Sequence, residues 1–269
     1  MSVKFGLIGG GVMGEALLSR LIAQKIYLAS EALVSEPDSS RQIYLEEKYG
    51  VSVTADNRLV FSQATEVVFL AVKSQIFSAI AQELAEVLDT AKPLVISILA
   101  GVPISNLEAA FPNIPVIRAM PNTPLTVGEG VTAICLGAYT KAIHQQTARQ
   151  IFSAVGEVVE VPETLMDAVT GLSGSGPGYV ALFVEALADG GVAAGLPRAI
   201  AYQLALQTVH GTAKLLQETK IHPAELKDRV TSAGGTTIAG IAQLEAAGFR
   251  SAIIEAVKAA TARSQELGK

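Results

Sequence analysis

The stretch GLIGGGVMG, residues 6–14, decides the fold. An apolar run from Val3 to Gly9 leads into it, and apolar residues recurring at helical spacing from Val12 to Gln24 lead out of it. The glycines therefore stand at a strand-to-helix turn, with Gly9, Gly11 and Gly14 in the G-x-G-x-x-G spacing of a dinucleotide fingerprint. In that reading Gly9 permits the tight turn, Gly11 lets backbone approach a pyrophosphate, and Gly14 lets the helix pack closely on the sheet. Backbone amides at the helix start face the anion, with the helix dipole behind them.

Outward from this turn the pattern repeats. Further strands are expected at Ala32–Glu36, Val67–Val72, Leu94–Leu99, Val116–Met120, Val131–Leu136 and Glu157–Val161, with helices between them, including Gln75–Leu88 and Ala142–Val155. Such alternation predicts an α/β fold, an N-terminal Rossmann-type parallel sheet with crossover helices. After Val161 no β-branched run recurs, and Ala- and Leu-rich stretches take over, such as Tyr179–Ala194 and Ala199–Leu216. These are apolar over much of their circumference, which predicts burial on several sides in an all-helical dimerisation domain. The expected domains are residues 1–161, dinucleotide-binding, and 162–269, helical, for dimerisation, to which the resemblance described below adds substrate binding.

Composition narrows the function. Half of the 269 residues are apolar and 17% are charged, fewer than the roughly 25% usual in soluble domains. No segment gives about 18 unbroken apolar residues, so subunit contacts explain the excess better than a membrane span. A formal charge of -5 without basic runs argues against nucleic acid and anionic lipid, and for a small-molecule partner. The single cysteine, Cys135, lies in an apolar run and reads as a buried structural thiol. His144, His210 and His222 have no metal-ligand spacing, so no metal is expected. Without a basic leader before the first strand, the expected location is the cytoplasm.

Ligands in open α/β sheets bind outside the carboxyl ends of the strands. Glu36 closes the second strand where an acid usually meets the ribose hydroxyls of NAD, while Ser35, Ser39, Ser40 and Arg41 offer donors for a 2'-phosphate. The cofactor is thus NADPH or NADH. Ala71, Val72 and Lys73 stand at the end of the third expected strand, and Leu99, Ala100 and Gly101 at the end of the fourth, where ribose and nicotinamide are expected.

Three further segments carry specificity: VIRAMPNTP at 116–124, GLSGSGP at 171–177 and LKDRVTSAGGTTIAGIAQLE at 226–245. With GLIGGGVMG they resemble the pyrroline-5-carboxylate reductases along essentially the whole chain, in order and spacing. The resemblance implies reduction of (S)-1-pyrroline-5-carboxylate to L-proline by hydride from NAD(P)H, the last step of proline biosynthesis. It also implies a homodimer with interlocked helical domains and the active site at the dimer interface, in some relatives assembled into a ring of dimers. Carried onto this chain, the pyrophosphate loop is Gly9, Gly10, Gly11, Val12, Met13 and Gly14, and Asn57 joins Glu36 near the adenosine. Met120 and Asn122 lie close to the cofactor, and the substrate loop falls at Ser232 to Thr237. Two positions depart from the family: Ser74 stands where a proline is common, and Glu36 where relatives preferring NADPH offer a hydroxyl or a base.

The substrate carries a carboxylate and a C=N bond. In Ser232-Ala-Gly-Gly-Thr-Thr237, Gly234 and Gly235 can expose consecutive amides before a helix, an anion nest for the carboxylate. Ser232 and Thr236 add hydroxyl donors, and Thr237 is expected to hydrogen-bond the ring nitrogen as the catalytic residue. Simple helix capping by these hydroxyls is the competing reading. Ser175 and Glu163 are expected on the substrate side. An imine nitrogen is basic enough to draw hydride once protonated, so no strong enzymic acid is needed. Two other readings fit the same motif. A β-hydroxyacid dehydrogenase needs a lysine between Val169 and Ala194, where the chain has none; a non-catalytic NAD(P) sensor would bind nucleotide without turnover.

Overall fold

The computed structural model describes residues 2–267. Its first half is an eight-stranded sheet with helices on both faces. In chain order the elements are β1 (Phe5–Ile8), α1 (Val12–Ala23), β2 (Ala32–Ser35), α2 (Ser39–Tyr49), β3 (Ser52–Thr54), α3 (Asn57–Gln63), β4 (Val67–Leu70), α4 (Phe77–Leu84), β5 (Leu94–Ser97), α5 (Ile104–Ala110), β6 (Val116–Met120), β7 (Gly130–Leu136), α6 (Ala142–Ser153) and β8 (Gly156–Glu160). Helices α7 (Met166–Val169), α8 (Gly176–Ala193), α9 (Arg198–Thr219), α10 (Pro223–Arg229), α11 (Thr236–Ala246) and α12 (Phe249–Leu267) follow.

The strand order is β3-β2-β1-β4-β5-β6-β7-β8. The chain moves outward from β1 to β3, then returns to place β4 on the other side of β1. That reversal makes the gap between the carboxyl ends of β1 and β4 the switch point of the sheet, the place where this architecture leaves a crevice. Alternate residues explain why the strands read as unbroken apolar runs. Phe5, Leu7, Val67, Phe69, Leu94 and Ile96 join a core on one face; Ile8, Val68, Leu70 and Val95 join the core on the other. Both faces are covered, so most positions are apolar, and the few polar ones, such as Ser97 and Arg118, are buried with them. Phe69 packs edge-on against Phe152 at 5.6 Å and tilted against Phe5 at 6.1 Å. A fully buried ring or Leu of this kind contributes roughly 1.5–3 kcal/mol.

Two features of the sheet differ from expectation. β7 runs antiparallel to β6, whereas the other pairings are parallel. The Pro121–Glu129 connection holds only a short 3-10 turn over Thr123–Val127, too little chain for the crossover that a parallel neighbour needs. β3 is a short, partly exposed edge strand paired with β2, and its three residues carry no readable alternation. The helix expected across Gln75–Leu88 is confined to α4, with three-residue 3-10 turns at Ser74–Ile76 and Ala85–Val87 tightening its ends.

Past β8 the described residues are helical. The TGLSG segment, Thr170–Gly174, forms a π-helical turn, and the hydroxyls of Thr170 and Ser173 donate back to Met166 O and Val169 O at 2.9 and 3.0 Å. Such back-bonding competes with the regular helical ladder and widens the turn. By its internal contacts the chain forms two compact units, one of residues up to Gly174 with the chain end from Ala260, the other Ser175–Ala259. The chain end is fastened by buried Ser264, whose hydroxyl donates to Asp167 at 2.6 Å. Among the described residues, no helix is long and apolar enough to cross a membrane.

Candidate functional site

The three fingerprint glycines answer to different demands. Gly9 has φ +104°, and a Cβ there would lie 2.6 Å from the Ala71 carbonyl oxygen. A Cβ on Gly14 would lie 2.1 Å from Gly9 O, so strand and helix touch backbone to backbone. These two are required by the protein's own packing. Gly11 is not: its φ is −68°, and a Cβ there would meet no protein atom within 4 Å. Gly11 caps α1 without a side-chain hydrogen bond to the first-turn amides. Val12 beside it leaves an apolar side chain 76% exposed. A bare cradle of amides at the positive end of a helix, with room kept clear beside Gly11, fits the pyrophosphate of a dinucleotide.

At the carboxyl end of β2, Glu36 turns back toward this loop. Its Oε2 accepts from Gly10 N at 3.0 Å and its Oε1 from Asp38 N at 3.1 Å. Asp38 in turn caps α2 by accepting from Arg41 N at 3.0 Å. Ser35 is buried, with its hydroxyl donating to Asn57 Oδ1 at 2.5 Å, and Asn57 Nδ2 donates to Glu83 at 2.9 Å. Both expected polar contacts at the adenosine end are therefore held on protein partners in this structure.

The residues expected on the nicotinamide side gather at the ends of β4, β5 and β6. Ala71 N still donates to Ile8 O at 2.8 Å as the chain leaves β4, and Lys73 is exposed at the start of the following 3-10 turn. Ser74 donates to Ala100 O at 2.5 Å, a bond a proline cannot make, joining this loop to the Leu99–Gly101 turn. Gly101 has φ +77°. Asn122 Oδ1 accepts from Val131 N at 2.9 Å, and half-buried Met120 lies against Gly174, where a Cβ would come within 2.8 Å of Met120 Cε.

Glu163 serves the same neighbourhood from behind. Its Oε1 accepts from Ile104 N at 2.6 Å and from Arg118 Nη1 at 3.0 Å. Arg118 is 7% exposed, so this pair neutralises a buried cation and pins the start of α5 to β6. The neighbouring Cys135 is buried and its thiol is pushed up, chiefly by burial and then by Glu163, which leaves it inert.

In the second unit Ser175 begins α8 and its carbonyl accepts from Gly178 N at 3.0 Å. The Ser232–Thr237 segment bends at Gly234, φ +65°, and closes with Gly235 N donating to Ser232 O at 3.0 Å. Gly235 itself caps α11, with no side-chain hydrogen bond to the cap. Neither Ser232 nor either threonine takes the capping role, and a Cβ on Gly235 would lie 2.3 Å from Ser232 Oγ. The bend thus brings a serine hydroxyl beside uncapped helix amides, with exposed Thr236 and Thr237 next in line. His222, by contrast, is a capping residue, accepting from Ala224 N at 3.2 Å at the start of α10.

Sequence reasoning missed Glu15, the acceptor of a dense polar cluster. Arg41, Tyr44, Lys48 and Tyr49 all bond its carboxylate. The signal was the face of α2 formed by residues three, four and seven apart, but the partner on α1 becomes apparent only when β1 and β2 lie side by side.

Known proteins are similar to this chain throughout. A family model described as pyrroline-5-carboxylate reductase dimerisation matches residues 163–267, and one described as NADP oxidoreductase coenzyme F420-dependent matches residues 4–101. A pyrroline-5-carboxylate reductase of Synechocystis sp. is 60% identical over 269 residues, covering 100% of both chains. Among solved structures, a pyrroline-5-carboxylate reductase from Coxiella burnetii aligns with TM-score 0.92 and 35% identity, covering 100% of each chain. The Plasmodium falciparum pyrroline carboxylate reductase with NADP bound aligns with TM-score 0.89 and 30% identity over 99% of this chain and 98% of that one. With a relative this similar along its full length, the chain belongs to the pyrroline-5-carboxylate reductase family.

Proposed function

We infer that this protein reduces (S)-1-pyrroline-5-carboxylate to L-proline with hydride from NAD(P)H, the last step of proline biosynthesis. The observation that carries this reading is the full-length 60% identity to a reductase of that name, supported by two local cradles of the right chemistry.

In the first unit, Gly9 to Gly14 receive the pyrophosphate on the amides opening α1, and Glu36 with Ser35 and Asn57 frames the adenosine ribose. Ala71 to Lys73, Leu99 to Gly101, Met120 and Asn122 border the nicotinamide ribose and ring. Glu163 fixes the start of α5 behind them, since its carboxylate is bonded to Ile104 N and Arg118. In the second unit the carboxylate of the substrate sits on the amides after Gly234, with Ser232 and Thr236 adding hydroxyl donors and Ser175 lining the substrate side. When bound, NAD(P)H supplies hydride to the imine carbon. Thr237 holds the ring nitrogen by a hydrogen bond, and the basicity of that nitrogen makes a stronger enzymic acid unnecessary.

The working form is a cytoplasmic homodimer with interlocked helical domains, residues 162–269 supplying dimerisation and the substrate loop and residues 1–161 the cofactor. Support comes from the helical unit itself. Only Val184, Ala188, Ala201 and Ala205 form its buried apolar cluster, while Leu182, Leu204, Tyr202 and Ile254 are each more than half exposed. A ring of such dimers is a further level of the same proposal.

The test is the oxidation of NADH and NADPH by purified protein, followed spectrophotometrically with pyrroline-5-carboxylate and, separately, with short keto and hydroxy acids. Turnover with the cyclic imine alone is expected. Turnover confined to the acids, or none, would overturn the reading.

A further inference from the structure

Glu15, one turn into α1, has no part in the roles above, yet its side chain is held on every side. Its Oε1 accepts from Tyr49 at 2.6 Å, Tyr44 at 3.0 Å and Lys48 at 3.1 Å, and its Oε2 pairs with the Arg41 guanidinium. Burial alone would push the carboxyl up, but hydrogen bonds from Tyr49, Arg41, Lys48 and Tyr44 hold it down at about 2. It is therefore charged under any ordinary condition.

The partner that gives Glu15 meaning is Arg41. This residue lies in the first turn of α2, just beyond β2, at the corner where a dinucleotide's adenosine ribose falls in this architecture. A guanidinium there is the natural counterion for a phosphate on the ribose 2'-oxygen. Here its Nε donates to Gly10 O at 2.9 Å, its guanidinium carbon lies 4.9 Å over the Tyr44 ring, and its Nη2 is tied to the Glu15 carboxylate, which Lys48 shares. The backbone of Gly10 is thereby held through both of its polar groups, its N–H by Glu36 and its carbonyl by Arg41. The corner beside it is acidic: Glu36, bonded to Gly10 N and Asp38 N, and the exposed Asp38, with Arg41 tied back to Glu15.

On the reading that the chain binds NAD(P)H, we propose that Glu15 is a specificity-determining residue: by tethering Arg41 to α1 it denies a 2'-phosphate its counterion and makes the protein prefer NADH. Glu36 repels the phosphate, and Glu15 removes the cation that would offset the repulsion. Family names that mention NADP do not specify this corner, because the choice is made by how one arginine is held.

The test is equilibrium binding without turnover, by titration calorimetry with NADH and NADPH and with the fragments ADP and adenosine 2',5'-bisphosphate. The wild-type protein is expected to bind NADH at least about tenfold tighter than NADPH. Glu15→Ala should tighten NADPH and the bisphosphate about tenfold while NADH and ADP move less than about twofold. Glu15→Gln, which keeps the side-chain volume, is measured beside it in case the alanine variant fails to fold, and should shift in the same direction. Arg41→Met alone should move NADPH and NADH affinities together, through the lost hold on Gly10 O, and adding it to Glu15→Ala should cancel the NADPH-selective gain. A selective loss of NADPH binding in Arg41→Met would overturn the proposal, because Arg41 would already serve the phosphate. So would equal shifts for both dinucleotides in the Glu15 variants, which would make Glu15 only a brace. Wild-type protein binding neither dinucleotide would overturn the NAD(P)H reading itself, and the tether with it.

Discussion

In the sheet unit the apolar residues are covered by the chain's own elements: both faces of β1, β4 and β5 are sealed by helices, and Phe5, Phe69 and Leu94 are almost wholly out of solvent. In the helical unit Leu204 is 54% exposed and Leu182 67%, and Gly190, Gly211 and Gly240 lie within helices where a Cβ would meet no protein atom within 4 Å. Glycine in a helix costs about 1 kcal/mol relative to alanine, and bare leucines forgo burial worth roughly 1.5–3 kcal/mol each. A sequence tolerates both where another surface comes close. The first unit thus covers its apolar residues with its own elements, while the second leaves them bare, as the proposed homodimer requires.

Matched substitutions break or sharpen that contrast most strongly. Leu204 in α9 and Ile43 in α2 are almost equally exposed, at 54% and 55%. Leu204→Lys is expected to cost about 2–4 kcal/mol and to dissociate the proposed homodimer, while Ile43→Lys costs less than about 0.5 kcal/mol. Light scattering with thermal denaturation reads both, and equal effects would erase the distinction between the units.

The next largest effect lies in the glycine loop. Gly11→Val should leave stability within about 1 kcal/mol of wild type, because its space is empty of protein, yet weaken nucleotide binding more than about a hundredfold. Normal nucleotide affinity in calorimetry would contradict the cradle. In the helical unit the parallel experiment is Thr237→Ala. Turnover is expected to fall about ten- to a thousandfold with nucleotide affinity unchanged, measured by steady-state rates beside cofactor titration; unaltered rates would remove Thr237 from the chemistry.

The smallest effect concerns acid. The Glu15 carboxyl is held at about 2 in the fold against an ordinary 4.5. Its stabilisation is therefore fully present above about pH 4.5 and is lost as pH falls toward 2, an effect on the order of 2 kcal/mol. Denaturant midpoints of wild type and Glu15→Gln should differ at pH 7 and converge near pH 2. The exposed pair Arg229–Glu225 of the helical unit should show about 0.5 kcal/mol or less at either pH.

How much of this was legible in the sequence follows the same division. Strands buried on both faces announce themselves as apolar runs, and β1, β4, β5 and β6 are read from them to within a few residues. The runs overshoot because Ala71, Val72 and Leu99 stay partly or wholly buried after the ladder ends. Strand direction is not written in such a run: β7 reads like its neighbours, and only the short Pro121–Glu129 link turns it antiparallel. Contacts distant in sequence were equally hidden. Glu163 reads as a free acid until Ile104 and Arg118 arrive beside it, and Ser35 as a free hydroxyl until Asn57 covers it. The glycine bend at Gly234 and Gly235 was legible because its backbone geometry is local, whereas the Glu15 tether depends on strand order.

The most direct test of the central claim is the fate of the hydride. Purified protein is given pyrroline-5-carboxylate and NADH deuterated at the transferable C4 position, and the proline formed is examined by mass spectrometry and NMR. One deuterium at proline C5 for each cofactor oxidised is the predicted result. Proline free of label, or no cofactor oxidation at all, would contradict the account.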